Sequence, residues 1–283
     1  MVALSIVDEL TGKYQGDVEL LEKLNQKPAR VTINGKRHYH TPFVTGPAPS
    51  VTTILSETAS EANKQKLEMW SKNNPGVKEA AAERGTSIHY GMEQYLKGNK
   101  TPDIPKDYSS FWDGMPKVLD QFEEVLWAET PMLEHHQFTL SNDGIGRVWG
   151  QDEEGRAWCG SPDIIGVANG KLTLADLKTS VKPYSRNWPK NVEKGSQEWR
   201  DLLGGNLKFK KTLKQLAAYD LGVQQTLGMK VQQAAILVST PERTQVFKIS
   251  RNFLNKIHDD WYAVVNEYYT QLGNCNVYDP DLI

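Results

Sequence analysis

Apolar and polar positions along the chain switch between two periods, and the switches divide it into predicted elements. Val31-Thr-Ile and His38-Tyr-His flank Asn34-Gly35, a dipeptide suited to the tight turn of a two-residue hairpin. A loop with Pro42, Pro47 and Pro49 follows, and Ser50-Val-Thr-Thr-Ile-Leu opens a helical region. From about Glu61 to Leu96 the chain is rich in Ala, Glu and Lys and predicts helices, interrupted at Asn74-Pro75-Gly76 and at Gly85. A further helix is predicted from about Met115 to Trp127. Strands are predicted around 132–140, 145–151, 156–167 and 171–178, then a long loop or small insertion at 181–210 and a helix near 211–227. Strands at 231–239 and 244–249 follow. Asn252 is placed to cap a last helix, with Phe253, Ile257, Trp261, Val264 and Tyr268 at helical spacing on one face. This order predicts one domain of mixed α/β (α+β) class, a central mixed sheet flanked by helices with an N-terminal helical region. Its parts are a hairpin and loop (1–48), the helical region (49–130) and a core (131–283) carrying a basic insertion at 181–214.

Composition narrows the class. A hydrophobic content of 39% with eight Trp supports a real core. The formal net charge of −2 means that any attraction to phosphates must come from a local patch. Two cysteines, Cys159 and Cys275, fit a reducing compartment and exclude both a disulfide framework and a four-cysteine metal site within one chain. No stretch is apolar enough to span a membrane, and Asp8 and Glu9 stand where a mitochondrial transit peptide would avoid acids. The expectation is a cytoplasmic protein with no membrane partner, in a bacterial or phage-infected cell rather than an organelle.

The chemistry concentrates in Gly160-Ser161-Pro162-Asp163 and, past the turn dipeptide Asn169-Gly170, in Asp176-Leu177-Lys178-Thr179-Ser180. A two-residue turn pairs Ala168 with Lys171 and, counting back along both strands, sets Asp163 opposite Asp176 on one face. Lys178, two residues on, shares that face. Opposed carboxylates on apolar strands are unfavourable, and burial raises their pKa values. A hard divalent cation removes both penalties, and oxygen ligands select Mg²⁺ or Mn²⁺ over zinc. With a nearby ammonium, the set suits phosphodiester hydrolysis. The competing reading is an ordinary Asp176–Lys178 surface salt bridge.

The segment after this hairpin is basic. Lys182, Arg186, Lys190, Lys194, Arg200, Lys208, Lys210, Lys211 and Lys214 face only Glu193, Glu198 and Asp201, with Trp188, Trp199 and Phe209 interleaved. Cations beside aromatics suit a single-strand groove, where phosphates are neutralised and bases stack; the competing reading is a solvated loop. The C-terminal aromatic stripe reads as core, and Asn142, Asp143 and Asp152 as loop residues.

In these residues the sequence resembles the PD-(D/E)XK nucleases, within them the RecB-like branch, and the likeness extends to the mitochondrial genome maintenance exonucleases and related phage exonucleases. It runs through Pro49-Ser50-Val51-Thr52-Thr53-Ile54-Leu55, Leu67-Glu-Met-Trp70, Arg84-Gly85-Thr86-Ser87-Ile88-His89 with Glu93, Glu134, the hairpin as far as Lys182-Pro183, and Gln215-Leu-Ala-Ala-Tyr219. The resemblance implies a restriction-endonuclease-like core and a Mg²⁺-dependent deoxyribonuclease acting as an exonuclease on single-stranded or free-ended DNA. Replication or recombination proteins are the partners it suggests. It implies that Asp163, Asp176, the Leu177 carbonyl and His89 ligate the metal, and that Lys178 positions or activates the attacking water. Glu134 would help hold a second metal or a metal-bound water, and Gln215 would support the site or the phosphate. Thr179, Ser180, Lys182, Lys210, Lys211 and Tyr219 are the implied nucleic-acid contacts. Local alternatives stay open. His89 and Glu93 are also spaced for a surface hydrogen bond, His135 or His136 can replace Glu134, and Gln215 and Tyr219 can simply pack a helix on the sheet. Iron–sulfur members of the branch are excluded by the missing cysteine cluster. The rival functions are an endonuclease of the same fold, structure-specific or restriction-like, and a non-catalytic DNA-binding recombination accessory protein.

Overall fold

A computed structural model describes residues 30–40, 46–128, 130–131 and 147–272. Strands β1 (Arg30–Ile33) and β2 (Lys36–His40) form the expected hairpin, and β3 (Pro47–Pro49) pairs with β2. Asn34 and Gly35 take the left-handed φ values (50° and 73°) of the tight turn. Helix α1 (Val51–Glu57) starts at Ser50, whose hydroxyl accepts from the Thr53 amide at 3.0 Å. Helix α2 (Glu61–Asn73) ends at the Asn74-Pro75-Gly76 break, and α3 (Val77–Leu96) runs without interruption through Gly85. Short helices α4 (Ser109–Trp112) and α5 (Met115–Leu119) lead to strands β4 (Phe122–Ala128) and β5 (Thr130–Pro131). Strands β6 (Val148–Gln151), β7 (Ala157–Gly160), β8 (Ile164–Ala168) and β9 (Lys171–Thr179) follow. The chain then forms α6 (Gln197–Leu227), β10 (Gln233–Ser239), β11 (Thr244–Ser250) and α7 (Arg251–Leu272).

The class is α+β as expected. A mixed sheet has the order β11-β10-β9-β8-β4-β5, with β9 and β10 parallel and the other neighbours antiparallel. Parallel pairing needs a crossover, and α6 with its approach loop supplies it. Alternation along β9 divides the core in two. Leu172 and Leu174 pack with Ile54 of α1, Leu216 and Val223 of α6 and Trp261 of α7. Ala175 and Leu177 pack on the opposite face with Ile88 and Met92 of α3 and Met115 and Leu119 of α5. The sheet is therefore covered by helices on both faces, and Asp176 and Lys178 point to the α6 side by the same alternation. No helix among the described residues is long and apolar enough to cross a membrane.

Several expectations need correction. The helix foreseen over Met115–Trp127 stops at Leu119, and Phe122–Ala128 is a strand paired with β8; tertiary pairing overrides the local preference of Glu123-Glu124. The single strand foreseen at 156–167 is broken by Ser161-Pro162-Asp163 into β7 and β8, as Pro removes a ladder donor. The loop foreseen over 181–210 is helical from Gln197, where the Ser196 hydroxyl caps the Trp199 amide at 3.1 Å. Gly205 inside that helix is no breaker: a Cβ there would come within 2.6 Å of the Pro183 carbonyl, so its absence lets the approach loop lie against α6. Helix α7 begins at Arg251, and Ser250, not Asn252, accepts from the Phe253 amide (3.3 Å). Phe253 is exposed and Leu254 takes the buried position, with Ile257, Trp261, Val264 and Tyr268 buried as foreseen. The strand predicted at 132–140, with Glu134, His135 and His136, lies outside the described residues, as do Asn142 and Asp143.

Candidate active site

Asn169 and Gly170 adopt left-handed φ values (52° and 66°), and the β8–β9 ladder runs in the foreseen register from Ala168↔Lys171 to Ile164↔Ala175. Asp163 sits one residue beyond the last pair, in a bend, so its opposition to Asp176 extends the register without a ladder bond. Two contacts fix that bend. The Trp127 indole N–H of β4 donates to the Pro162 carbonyl at 2.9 Å, and the Leu177 amide donates to Asp163 Oδ2 at 2.6 Å. The first was not foreseen, because Trp127 was assigned to a helix.

Asp176 is fully buried, and Lys178 Nζ lies 2.6 Å from its Oδ2 as an ion pair. Lys178 is the donor to this carboxylate, and among the described residues the Asp176 oxygens have no other hydrogen-bond partner. Burial pushes the carboxyl up to about 6; Lys178 opposes this and the Asp163 charge adds to it. Burial also works against the Lys178 ammonium, but the charges of Asp176 and Asp163 outweigh it, so its pKa is raised and it stays protonated. Lys178 Nζ also lies 3.4 Å from the Leu177 carbonyl.

His89, on α3, brings Nδ1 to 3.7 Å from Asp163 Oδ1, while the neighbouring Glu93 pairs with Lys97 at 2.7 Å. The imidazole thus stands at the rim of the carboxylate pair. Among the described residues no three His, Cys, Asp or Glu side chains converge as a ready-made metal cage. The donors that do meet are two carboxylates and a main-chain carbonyl, an oxygen set that fits a hard cation such as Mg²⁺. The buried oxygens of Asp176 fit it too, because apart from Lys178 they have no hydrogen-bond partner among the described residues, and a buried carboxylate is costly while lone pairs stay unsatisfied.

Helix α6 lies over the face that carries Asp176. On it, Gln215 Nε2 donates to the Tyr219 hydroxyl at 2.7 Å, both side chains buried. A Cβ on Gly160 would collide with the Tyr219 ring, so this glycine lets β7 pass close to α6. Tyr219 therefore packs against the strand leading to Asp163, and Gln215 is joined to it. Tyr184, in the approach loop, is also buried beside the site; burial raises its pKa, against the Lys178 charge.

The foreseen nucleic-acid contacts separate. Ser180 is buried, its amide donates to the Ser239 carbonyl (2.9 Å), and its hydroxyl accepts from Lys208 Nζ (3.1 Å). Thr179 Oγ1 lies 3.8 Å from where a Cβ of Gly85 would stand, so α3 crosses close above the end of β9. Lys211 projects from α6 near Lys178. Lys182 is instead paired with Asp201 at 3.2 Å, and Lys210 lies 5.5 Å from the centre of the exposed Trp188 ring. Phe209 is not a stacking platform: it is buried, 5.1 Å from Phe247 between ring centres. Arg84 and Lys208 were not singled out for this site, although Arg84 sits one helical turn before Ile88 and His89.

No family model matches the chain, and no curated protein matches it. Among solved structures, that of SSO0001 covers 92% of this chain and 86% of its own, at 16% identity and a TM-score of 0.32. A likeness at that score says nothing about fold or function.

Proposed function

We propose that this protein is a divalent-metal-dependent deoxyribonuclease of the PD-(D/E)XK kind. The observation that carries the reading is Asp176, fully buried with the Asp163 charge beside it and the Lys178 ammonium at 2.6 Å as its one hydrogen-bond partner among the described residues. Such a carboxylate costs stability, and a site for a cation and a phosphate is the economical reason to keep it.

Asp163, Asp176 and the Leu177 carbonyl would hold Mg²⁺, with Mn²⁺ substituting, and His89 would act from the rim. When bound, the ion supplies positive charge against the phosphate and lowers the pKa of water. The chain's own groups do the rest. Lys178, held protonated by its two carboxylate neighbours, acts as a hydrogen-bond donor and fixed charge, not as a base. The Leu177 amide and the Trp127 indole hold the Asp163 bend in place. In the reaction a water oxygen bonds to phosphorus and gives up a proton to solvent, the bond to the leaving sugar oxygen breaks, and that oxygen takes a proton from solvent. Lys208 and Lys211 beside the site, and the exposed Trp188 under Lys210, support a single-stranded polymer over a small phosphoester. The preference for free ends rests on the resemblance alone.

The direct test is degradation of an end-labelled single-stranded oligonucleotide with Mg²⁺ or Mn²⁺. Asp163→Ala and Lys178→Ala are each expected to lower the rate by roughly a hundredfold or more. Undiminished cleavage in both variants sinks the assignment. Covalently closed single-stranded circles, in the same panel, survive an exonuclease and are cut by an endonuclease.

A further inference from the structure

Beyond the end of β9, cations from two helices on opposite faces of the sheet come together. Arg84 of α3 lays its guanidinium on the Phe111 ring, 4.6 Å from the centre, and its Nε is enclosed without an acceptor. Stacking occupies the face of the guanidinium and leaves its edge, the fork of N–H donors, for an anion. Lys208 of α6 reaches Ser180 at 3.1 Å, and Lys211, one turn along, stands near Lys178. Among the described residues none of Arg84, Lys208 and Lys211 makes an ion pair with a carboxylate. By contrast Lys182, Lys97 and Lys100 nearby in sequence all have carboxylate partners. A concentration of cations without counter-charges is unfavourable in the free protein and is offset when an anion is bound.

We propose that Arg84, Lys208 and Ser180, with Lys211 beside them, form a subsite for a backbone phosphate of the bound strand, next to the one being cleaved. It rests on the nuclease reading for the identity of the strand and extends that reading to residues outside the carboxylate pair. Arg84 takes two phosphate oxygens through its fork. Lys208 turns from the Ser180 hydroxyl to share one of the same two non-bridging oxygens, and the freed hydroxyl becomes a donor to the same group. The direction of the electrostatics agrees. Burial lowers the pKa of Arg84; burial and then the Arg84 charge lower that of Lys208; burial and then the Lys178 charge lower that of Lys211.

The test is binding, not cleavage. A short fluorescent oligodeoxythymidine is titrated in EDTA against the full chain at a series of salt concentrations, and anisotropy is read. Each phosphate contact on a single strand contributes about 0.7 to the slope of log affinity against log salt. Arg84→Gln and Lys208→Gln are each expected to lower that slope by part of this amount, and the double variant by about 0.7, with each single variant weakening binding by roughly tenfold. Arg84→Lys keeps the slope. Lys171→Gln, at the exposed hairpin turn on the opposite end of β9, leaves both quantities unchanged. If Arg84→Gln and Lys208→Gln both retain wild-type slope and affinity, the subsite is overturned. Failure of the two proposals is distinguishable: Asp176-dependent cleavage that ignores Arg84 overturns the subsite alone. Arg84-dependent binding by a chain that never cleaves keeps the subsite and removes the nuclease.

Discussion

At Asp176 burial and charge pull in opposite directions. The side chain has no solvent exposure, and its carboxyl is pushed up to about 6 by burial first, against the charge and hydrogen bond of Lys178. A raised carboxylate binds its proton more readily folded than unfolded, so stability falls as pH rises from about 4 to about 6, the loss is complete above about 6, and there is none below about 4. A cation relieves that cost at neutral pH. Mg²⁺ should therefore raise the melting temperature of the wild type, by an amount equivalent to about 2.7 kcal/mol at a hundred times the dissociation constant. Asp176→Asn should flatten this response. Calcium-free differential scanning calorimetry with and without Mg²⁺ measures both, and an equal upward shift in Asp176→Asn places the ion elsewhere.

Between elements, the contact that stands out is the one that fastens α7 to α6. Asp220 is fully buried on α6 and accepts from Arg251 through both oxygens (2.8 and 2.7 Å), from His258 (2.7 Å) and from Gln224 (2.8 Å). Burial alone raises its pKa, but the hydrogen bonds from His258 and Arg251 prevail and hold it below the ordinary carboxylate value. Its contribution is thus complete above that value and is lost as pH falls through the lower folded one. Asp220→Asn, which leaves Arg251 uncompensated, should cost roughly 3–5 kcal/mol in urea unfolding at neutral pH. The deficit should narrow only under acid, below about pH 4; a deficit constant across that range counts against the ion pair. This network was not legible in the sequence. Arg251 and His258 lie two turns apart on one helix, but their partner Asp220 is on another helix distant along the chain, and no local pattern joins the three. The hairpin was legible because its information is local: Asn169-Gly170 sets the turn, and alternation does the rest. Helix α6 was half legible. Its apolar second half has clear helical spacing, whereas its first half carries Gly204, Gly205 and three lysines, and depends on the Ser196 cap and on packing against the Pro183–Ser185 backbone. Arg84 was missed as a functional side chain because its neighbours, Phe111 and Lys208, come from elements distant in sequence.

For the molecule as a whole, one sheet serves two cores. Ile88 lies in one and Trp261 in the other, both fully buried. Ile88→Ala should cost about 2–5 kcal/mol and Trp261→Ala about 3–5 kcal/mol. Both should lower a single urea transition seen alike by fluorescence and circular dichroism. Two separated transitions would mean that the halves unfold independently. The free edge of the sheet, β11, is covered by the loop before α6: Arg186 donates to the Lys248 carbonyl (2.6 Å), and Gln245 bonds both the amide and carbonyl of Tyr184 (2.8 and 3.2 Å). That loop therefore blunts an edge that could otherwise recruit another strand. The parallel pairing of β9 with β10 has a further consequence, in the order of assembly. The β8–β9 hairpin needs two residues to close, so Asp163 and Asp176 can be neighbours within microseconds, while still hydrated. Their enclosure waits for α6 to cross over and for β10 to dock, a long-range closure that sets the slow phase of folding. The carboxylates meet early at little cost, and their desolvation arrives last. A chain halted during synthesis before β10 emerges holds the two acids but not the enclosure, and so carries an idle blade.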